Sequence, residues 1–219
     1  MSGISAIVLA AGESTRMGRL KALVPWQGKT LIEYQVESLF DSGVSEVVVV
    51  VGHLADQVAA PVINNSGVII ATNPEYRRGK AGSVKAGLAR VAPSASGILV
   101  LAVDQPRPVS VLESIIDSYR ASKSQITCPV YNGHRGHPMI FSSLLRSELE
   151  AITDEGEGLR QVVDRYKSDT NKYSRIVVKA GTSLLTNGLQ GLDLNFMNSC
   201  CLVFLLDFNF VCFETMESR

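Results

Sequence analysis

Short runs in which nearly every residue is apolar alternate, through the first half of the chain, with longer segments of helical period. Ile4 to Ala10, Glu46 to Val51, Val68 to Ala71 and Ile98 to Val103 are of strand length, β-branched and apolar on both faces. A strand with no polar side is covered by helices above and below, as in the middle of a parallel sheet. Thr30-Leu31-Ile32-Glu33 has the spacing of a capping box and predicts a helix that closes near Gly43. Ser110-Val111-Leu112-Glu113 repeats the device ahead of a helix towards Ala121, and a further helix is expected over Val84 to Val91. The alternation predicts a three-layer, Rossmann-like α/β fold with a mostly parallel sheet.

The second half is less regular. Strands are expected over Ile126 to Val130 and Pro138 to Phe141, flanking the loop Tyr131 to His137. Helices over Ser143 to Ile152 and Gly158 to Tyr166 follow, then a strand from Arg175 to Ala180. From Phe196 the composition changes: five of seven phenylalanines and three of four cysteines lie in Phe196 to Phe213. The expected organisation is one domain over 1–195 and a divergent hydrophobic tail over 196–219.

Composition narrows the function classes. With 21 basic and 21 acidic residues the chain has no basic excess, which argues against a nucleic-acid partner. No apolar run reaches the roughly 18 to 20 residues of a membrane span. The N-terminal MSGISAIVLAAGES lacks the basic region of a signal sequence. Cys128, Cys200, Cys201 and Cys212 form no CxxC pair, a usage expected of reduced thiols in a cytoplasmic protein.

The candidate chemistry sits where strands end. The first strand runs into Leu9-Ala10-Ala11-Gly12, followed by Arg16, Gly18 and Lys21. A glycine-bearing loop at the carboxyl end of a strand lets backbone N–H groups approach phosphates, and Arg16 and Lys21 add cations. Its glycines match neither GxGxxG nor a Walker A loop, and an ordinary βα turn with two solvated cations is the alternative. Asp104 directly follows an apolar strand, where it either holds Mg²⁺ beside substrate phosphates or caps the helix near Ser110. Asn73 and Ser83 are suited to a base or ribose, or else to turn and cap chemistry. His134 and His137 have no cysteine or carboxylate nearby, so a substrate loop contacting an anionic group is favoured over a zinc site.

Taken together, LAAGESTRMGRLK (Leu9 to Lys21), NPEYRRGKAGS (Asn73 to Ser83), DQP (Asp104 to Pro106), GHRGHPMIF (Gly133 to Phe141) and GLR (Gly158 to Arg160) resemble one family. The chain is similar, over about Ile4 to Asn195, to the MobA/MocA-like nucleotidyltransferases, and within them to the molybdenum cofactor cytidylyltransferases. The resemblance implies a fold of the nucleotide-diphospho-sugar transferase type and transfer of CMP from CTP to the phosphate of molybdopterin, releasing pyrophosphate. It implies that Arg16 and Lys21 hold the triphosphate, that Asp104 and Asp193 bind Mg²⁺, and that Arg135 and His137 face the acceptor. A target molybdoenzyme is the implied partner. A sugar phosphate or other phosphorylated alcohol as acceptor, or a disabled cofactor-binding chaperone, are the alternatives. The chain departs from the pattern at Lys80, where an apolar residue is usual, and at Phe196-Met197-Asn198, which replaces Thr-Pro and a final helix.

Overall fold

The computed structural model describes residues 3–122, 124–131, 134–166 and 173–176. Asp193 and the whole 196–219 tail lie outside the described residues, as do the side chains of Arg16 and His134.

Seven strands form the main sheet: β1 (Ile4–Leu9), β2 (Glu46–Val51), β3 (Val68–Thr72), β4 (Gly97–Ala102), β5 (Ile126–Tyr131), β6 (Met139–Ser142) and β7 (Tyr173–Ile176). Their spatial order is β7-β5-β6-β4-β1-β2-β3, and a short strand, His134–Arg135, adds to β5. β1, β2, β3 and β4 run parallel, and only β6 opposes both of its neighbours. Six helices accompany them: α1 (Leu31–Asp41), α2 (Ala55–Ala59), α3 (Lys80–Leu88), α4 (Val109–Ala121), α5 (Arg146–Glu150) and α6 (Leu159–Tyr166).

The two-sided apolar strands have the expected cause. Ala6, Val8, Val47, Val49, Leu99 and Leu101 face a core shared with α1 and α4. Their neighbours Ile7, Val48, Val50, Ile98 and Val100 face the opposite core, shared with α3, α5 and α6. Full burial of one such side chain is worth about 1.5–3 kcal/mol, so neither face of the central strands tolerates a polar row.

Helix starts are where the structure corrects the sequence reading. The Thr30 capping box forms, with Thr30 N–H donating to Glu33 Oε2 at 2.8 Å and Glu33 N–H to Thr30 Oγ1 at 3.4 Å. The box expected at Ser110 does not, because α4 begins at Val109 with Pro108 at its N-cap. Proline fixes its own φ and lacks an N–H, so the helix starts directly after it and Ser110 is already inside. Similarly, α3 begins at Lys80 rather than Val84. Asp154, 73 residues away, accepts the Ala81 N–H at 3.1 Å and serves as a cap no local pattern could reveal. The last expected strand begins earlier, at Tyr173, and 177–180 lie outside the described residues. Among the described residues no helix is long and apolar enough to cross a membrane.

Candidate active site

The chain leaves β1 towards β2 and β3, then returns to β4 on the other side of β1. At such a reversal two connections diverge from adjacent strand ends and leave a crevice. Leu9 pairs with Ala102, so Ala10-Ala11-Gly12 and Val103-Asp104-Gln105 emerge side by side.

The first connection folds back on itself. Ser14 takes a left-handed backbone at φ 55, a turn spans Thr15–Met17, and Gly18 closes it at φ 63. Ser14 Oγ then accepts the Lys21 N–H at 3.1 Å. This reversal carries Lys21 into the crevice, where its Nζ donates to Asp104 Oδ2 at 2.7 Å. Asp104 therefore faces the crevice and does not cap α4.

A chamber of about 350 Å³ opens there, within the size range of small-molecule sites. Leu9, Ala10, Ala11, Gly12, Lys21, Ser83 and Asp104, all singled out from the sequence, line it. A Cβ on Gly12 would meet nothing within 4 Å, so the backbone here borders open space. Asn73 is buried and not among the lining residues. Its amide donates to Ser83 Oγ at 3.0 Å and accepts the Glu75 N–H at 3.0 Å, fixing the segment that leads into α3. Arg16 belongs to the Thr15–Met17 turn.

Sequence reasoning missed the group that braces the loop. Tyr76 Oη donates to Glu13 Oε1 at 3.2 Å and lies 3.3 Å from His53 Nδ1. Arg77 Nε donates to the same Glu13 oxygen at 2.6 Å, and this guanidinium holds the Glu13 carboxyl below the usual range. The neighbouring Gly52 admits no side chain: a Cβ would sit 2.8 Å from Tyr76 Cβ and 2.9 Å from the Ala11 carbonyl oxygen. Glu13 stands in LAAGESTRMGRLK and Tyr76 and Arg77 in NPEYRRGKAGS, but nothing local to either motif pairs them, and Gly52 directly follows the valine run of β2.

A second chamber, of about 630 Å³, adjoins the first between β4, β6 and α6. Arg135 and His137 line it, together with Asp154, Glu157 and Arg160. Arg135 Nη2 pairs with Asp164 Oδ1 at 2.9 Å, and Arg160 Nε lies 3.7 Å from Asp164 Oδ2. The peptide between His137 and Pro138 is cis. Arg107 clamps this loop, its Nε donating to the His137 carbonyl at 3.0 Å and Nη1 to that of Pro106 at 3.0 Å. Burial pulls the Arg107 guanidinium down to about 10, opposed by the Asp104 charge. Burial, then the charges of Arg107 and Lys80, pull the His137 imidazole down to about 4, so the ring is neutral near pH 7. Its Nδ1 is buried with no hydrogen-bond partner among the described residues. Among the described residues no three His, Cys, Asp or Glu side chains gather around a common point.

A crevice with a backbone-lined wall, two lysines and one carboxylate at a parallel-sheet reversal suits a ligand-binding site of the α/β class. The model of the MobA-like NTP transferase domain matches residues 6–170, and the chain belongs to that family of nucleotidyltransferases. Nicotine blue oxidoreductase of Paenarthrobacter nicotinovorans is 33% identical over 166 residues, 72% of this chain and 79% of that protein. Molybdenum cofactor cytidylyltransferase of Escherichia coli is 27% identical over 142 residues, 65% of this chain and 71% of that protein. Among solved structures, Rv0371c of Mycobacterium tuberculosis superposes with a TM-score of 0.70 at 29% identity, covering 82% of this chain and 90% of its own. The same protein has been solved as a manganese complex, with a TM-score of 0.63 at 26% identity, 82% of this chain and 90% of its own.

Proposed function

We propose that this protein transfers CMP from CTP to the terminal phosphate of molybdopterin, in the cytoplasm, for delivery to a molybdoenzyme. The observation that carries this reading is the pairing of the two chambers. The smaller one, with Lys21, Lys80 and the Ala10 to Gly12 backbone on its wall, suits a triphosphate, and the larger, with Arg135, His137 and Arg160, suits a polar, anionic acceptor. The cytidylyl and molybdopterin assignments are supported by the sequence resemblance and the 27% identical cytidylyltransferase. The more identical relative carries an oxidoreductase name.

In the proposed reaction an acceptor phosphate oxygen attacks the α-phosphorus of CTP. The bond from that phosphorus to the α,β-bridging oxygen breaks, and pyrophosphate leaves with the electron pair. Such transfers require alignment and charge neutralisation more than a protein nucleophile. Lys21 holds β- and γ-phosphate oxygens, helped by Arg16, while N–H groups of the Ala10 to Gly12 segment approach the phosphates. Asn73 holds Ser83 at the chamber wall, beside the nucleoside. Arg135 and His137 orient the acceptor, the neutral imidazole exchanging hydrogen bonds without adding charge.

The donor set fits Mg²⁺. This ion is commonly held by one or two carboxylates plus substrate phosphates, and Asp104 offers a single carboxylate at the chamber rim with one oxygen on Lys21. Asp104 would hold it, with Asp193 as a second ligand; when bound it neutralises charge developing on the phosphates. The experiment is pyrophosphate release with CTP, GTP, ATP and UTP against molybdopterin. Preference for CTP together with dependence on molybdopterin is expected. Equal or better turnover with GTP would overturn the cytidylyl assignment, and release dependent on a sugar phosphate instead would overturn the acceptor.

A further inference from the structure

Four residues line both chambers: Leu9, Lys80, Ala102 and Gln105. Two are apolar, so any polar recognition at the passage between chambers falls to Lys80 and Gln105. We propose that these two are specificity-determining residues which hold the acceptor's phosphate oxygens at this passage and select a phosphomonoester over a neutral alcohol. The proposal rests on the transferase reading above.

Gln105 is 5% exposed, yet its Oε1 is buried with no hydrogen-bond partner among the described residues. Its own N–H is tied to the Ala102 carbonyl at 3.1 Å, so the side chain is held at the end of β4, next to Asp104. A buried amide oxygen left unpaired costs about 1–3 kcal/mol, and because a phosphate oxygen is also an acceptor the side chain serves the ligand only when its amide is turned. The amide can turn to present either its oxygen or its two N–H donors, and the latter suit phosphate. Lys80 stands across the same passage, exposed and without an ion pair among the described residues. Its charge is felt at His137 in the larger chamber.

The carboxylates that line the larger chamber are already engaged. Asp154 accepts from the start of α3, and Glu157 pairs with Arg160 at 3.2 Å. An incoming dianion therefore meets a free ammonium and an unpaired amide. Lys21 and Gly12 line only the smaller chamber, assigned above to the donor phosphates, whereas Lys80 and Gln105 line both and can reach an oxygen nucleophile arriving from the larger one.

The test uses inorganic phosphate as probe, titrated calorimetrically into the CTP-saturated protein without metal. The wild type is expected to bind it, and Lys80→Met and Gln105→Glu are each expected to weaken it at least tenfold. CTP affinity should change less than threefold in both, and Lys80→Arg should restore phosphate binding. Because Lys80 is exposed, Lys80→Met carries the test even if Gln105→Glu does not fold. Absence of phosphate binding in the wild type, unchanged binding in Lys80→Met, or an equal loss of CTP affinity would each overturn the proposal. Molybdopterin turnover, measured in parallel, separates the two readings. Its failure with the phosphate pattern intact removes the molybdopterin assignment and leaves the passage assignment standing.

Discussion

Lys21 Nζ and Asp104 Oδ2 lie 2.7 Å apart, joining the loop after β1 to the end of β4 across 83 residues of sequence. Both side chains are partly exposed, at 21% and 32%, and pairs of this kind contribute about 1 kcal/mol or less. The consequence is placement rather than stability. On the proposed function, a triphosphate entering the chamber would compete with Asp104 for the lysine and free a carboxylate oxygen beside the phosphates.

Lys21→Ala is therefore expected to weaken CTP binding by about 1.5–3 kcal/mol, roughly tenfold to a hundredfold, with little change in melting temperature. Calorimetric titration of CTP checks the first quantity and thermal denaturation the second. Unchanged affinity would make the loop an ordinary turn.

Asp104→Asn should keep the fold and the metal-free affinity for CTP while abolishing pyrophosphate release. Asparagine preserves size and one oxygen but loses the negative charge a hard cation requires. EDTA should have the same effect on the wild type. Near-normal turnover of Asp104→Asn at saturating Mg²⁺ would remove this residue from the site.

Two glycines should respond in opposite ways. Gly12→Ala meets no atom within 4 Å and should leave stability unchanged, but its methyl occupies the space expected for phosphates, so CTP affinity should fall. Gly52→Ala drives a methyl against Tyr76 and the Ala11 carbonyl, and should destabilise the fold by about 1–3 kcal/mol. Chemical denaturation of both variants beside CTP titration separates the two effects.

The parallel strands and the strand-end site were legible because both are local. Continuous apolar runs such as Val47 to Val51 report burial on two faces, and Asp104 directly follows another, Ile98 to Val103. What escaped is non-local. Asp154 capping α3, Arg107 clamping the His137 loop and Tyr76 bracing Glu13 each join segments whose proximity only the folded sheet creates. The Ser110 box failed for a different reason: Pro108 fixed the helix start two residues earlier than the serine pattern implied.

His137 gives a pH signature. Its folded-state value is lowered from 6.5 to about 4, so the unfolded chain binds the extra proton between those values. This contribution to stability is fully present above about pH 6.5 and is lost as the pH falls towards 4, to a total of about 3 kcal/mol. His137→Gln should flatten the difference in stability between pH 7 and pH 4.5, measured by urea denaturation against the wild type. An identical pH dependence in the variant would contradict a buried neutral imidazole.

The most direct test of nucleotidyl transfer follows the α-phosphorus itself. Protein incubated with Mg²⁺, molybdopterin and CTP labelled at the α-phosphate should yield label in a molybdopterin–cytidine dinucleotide, with unlabelled pyrophosphate in equal amount. Label that stays in CTP or appears only as free CMP, under conditions where the protein binds both substrates, would contradict the transfer.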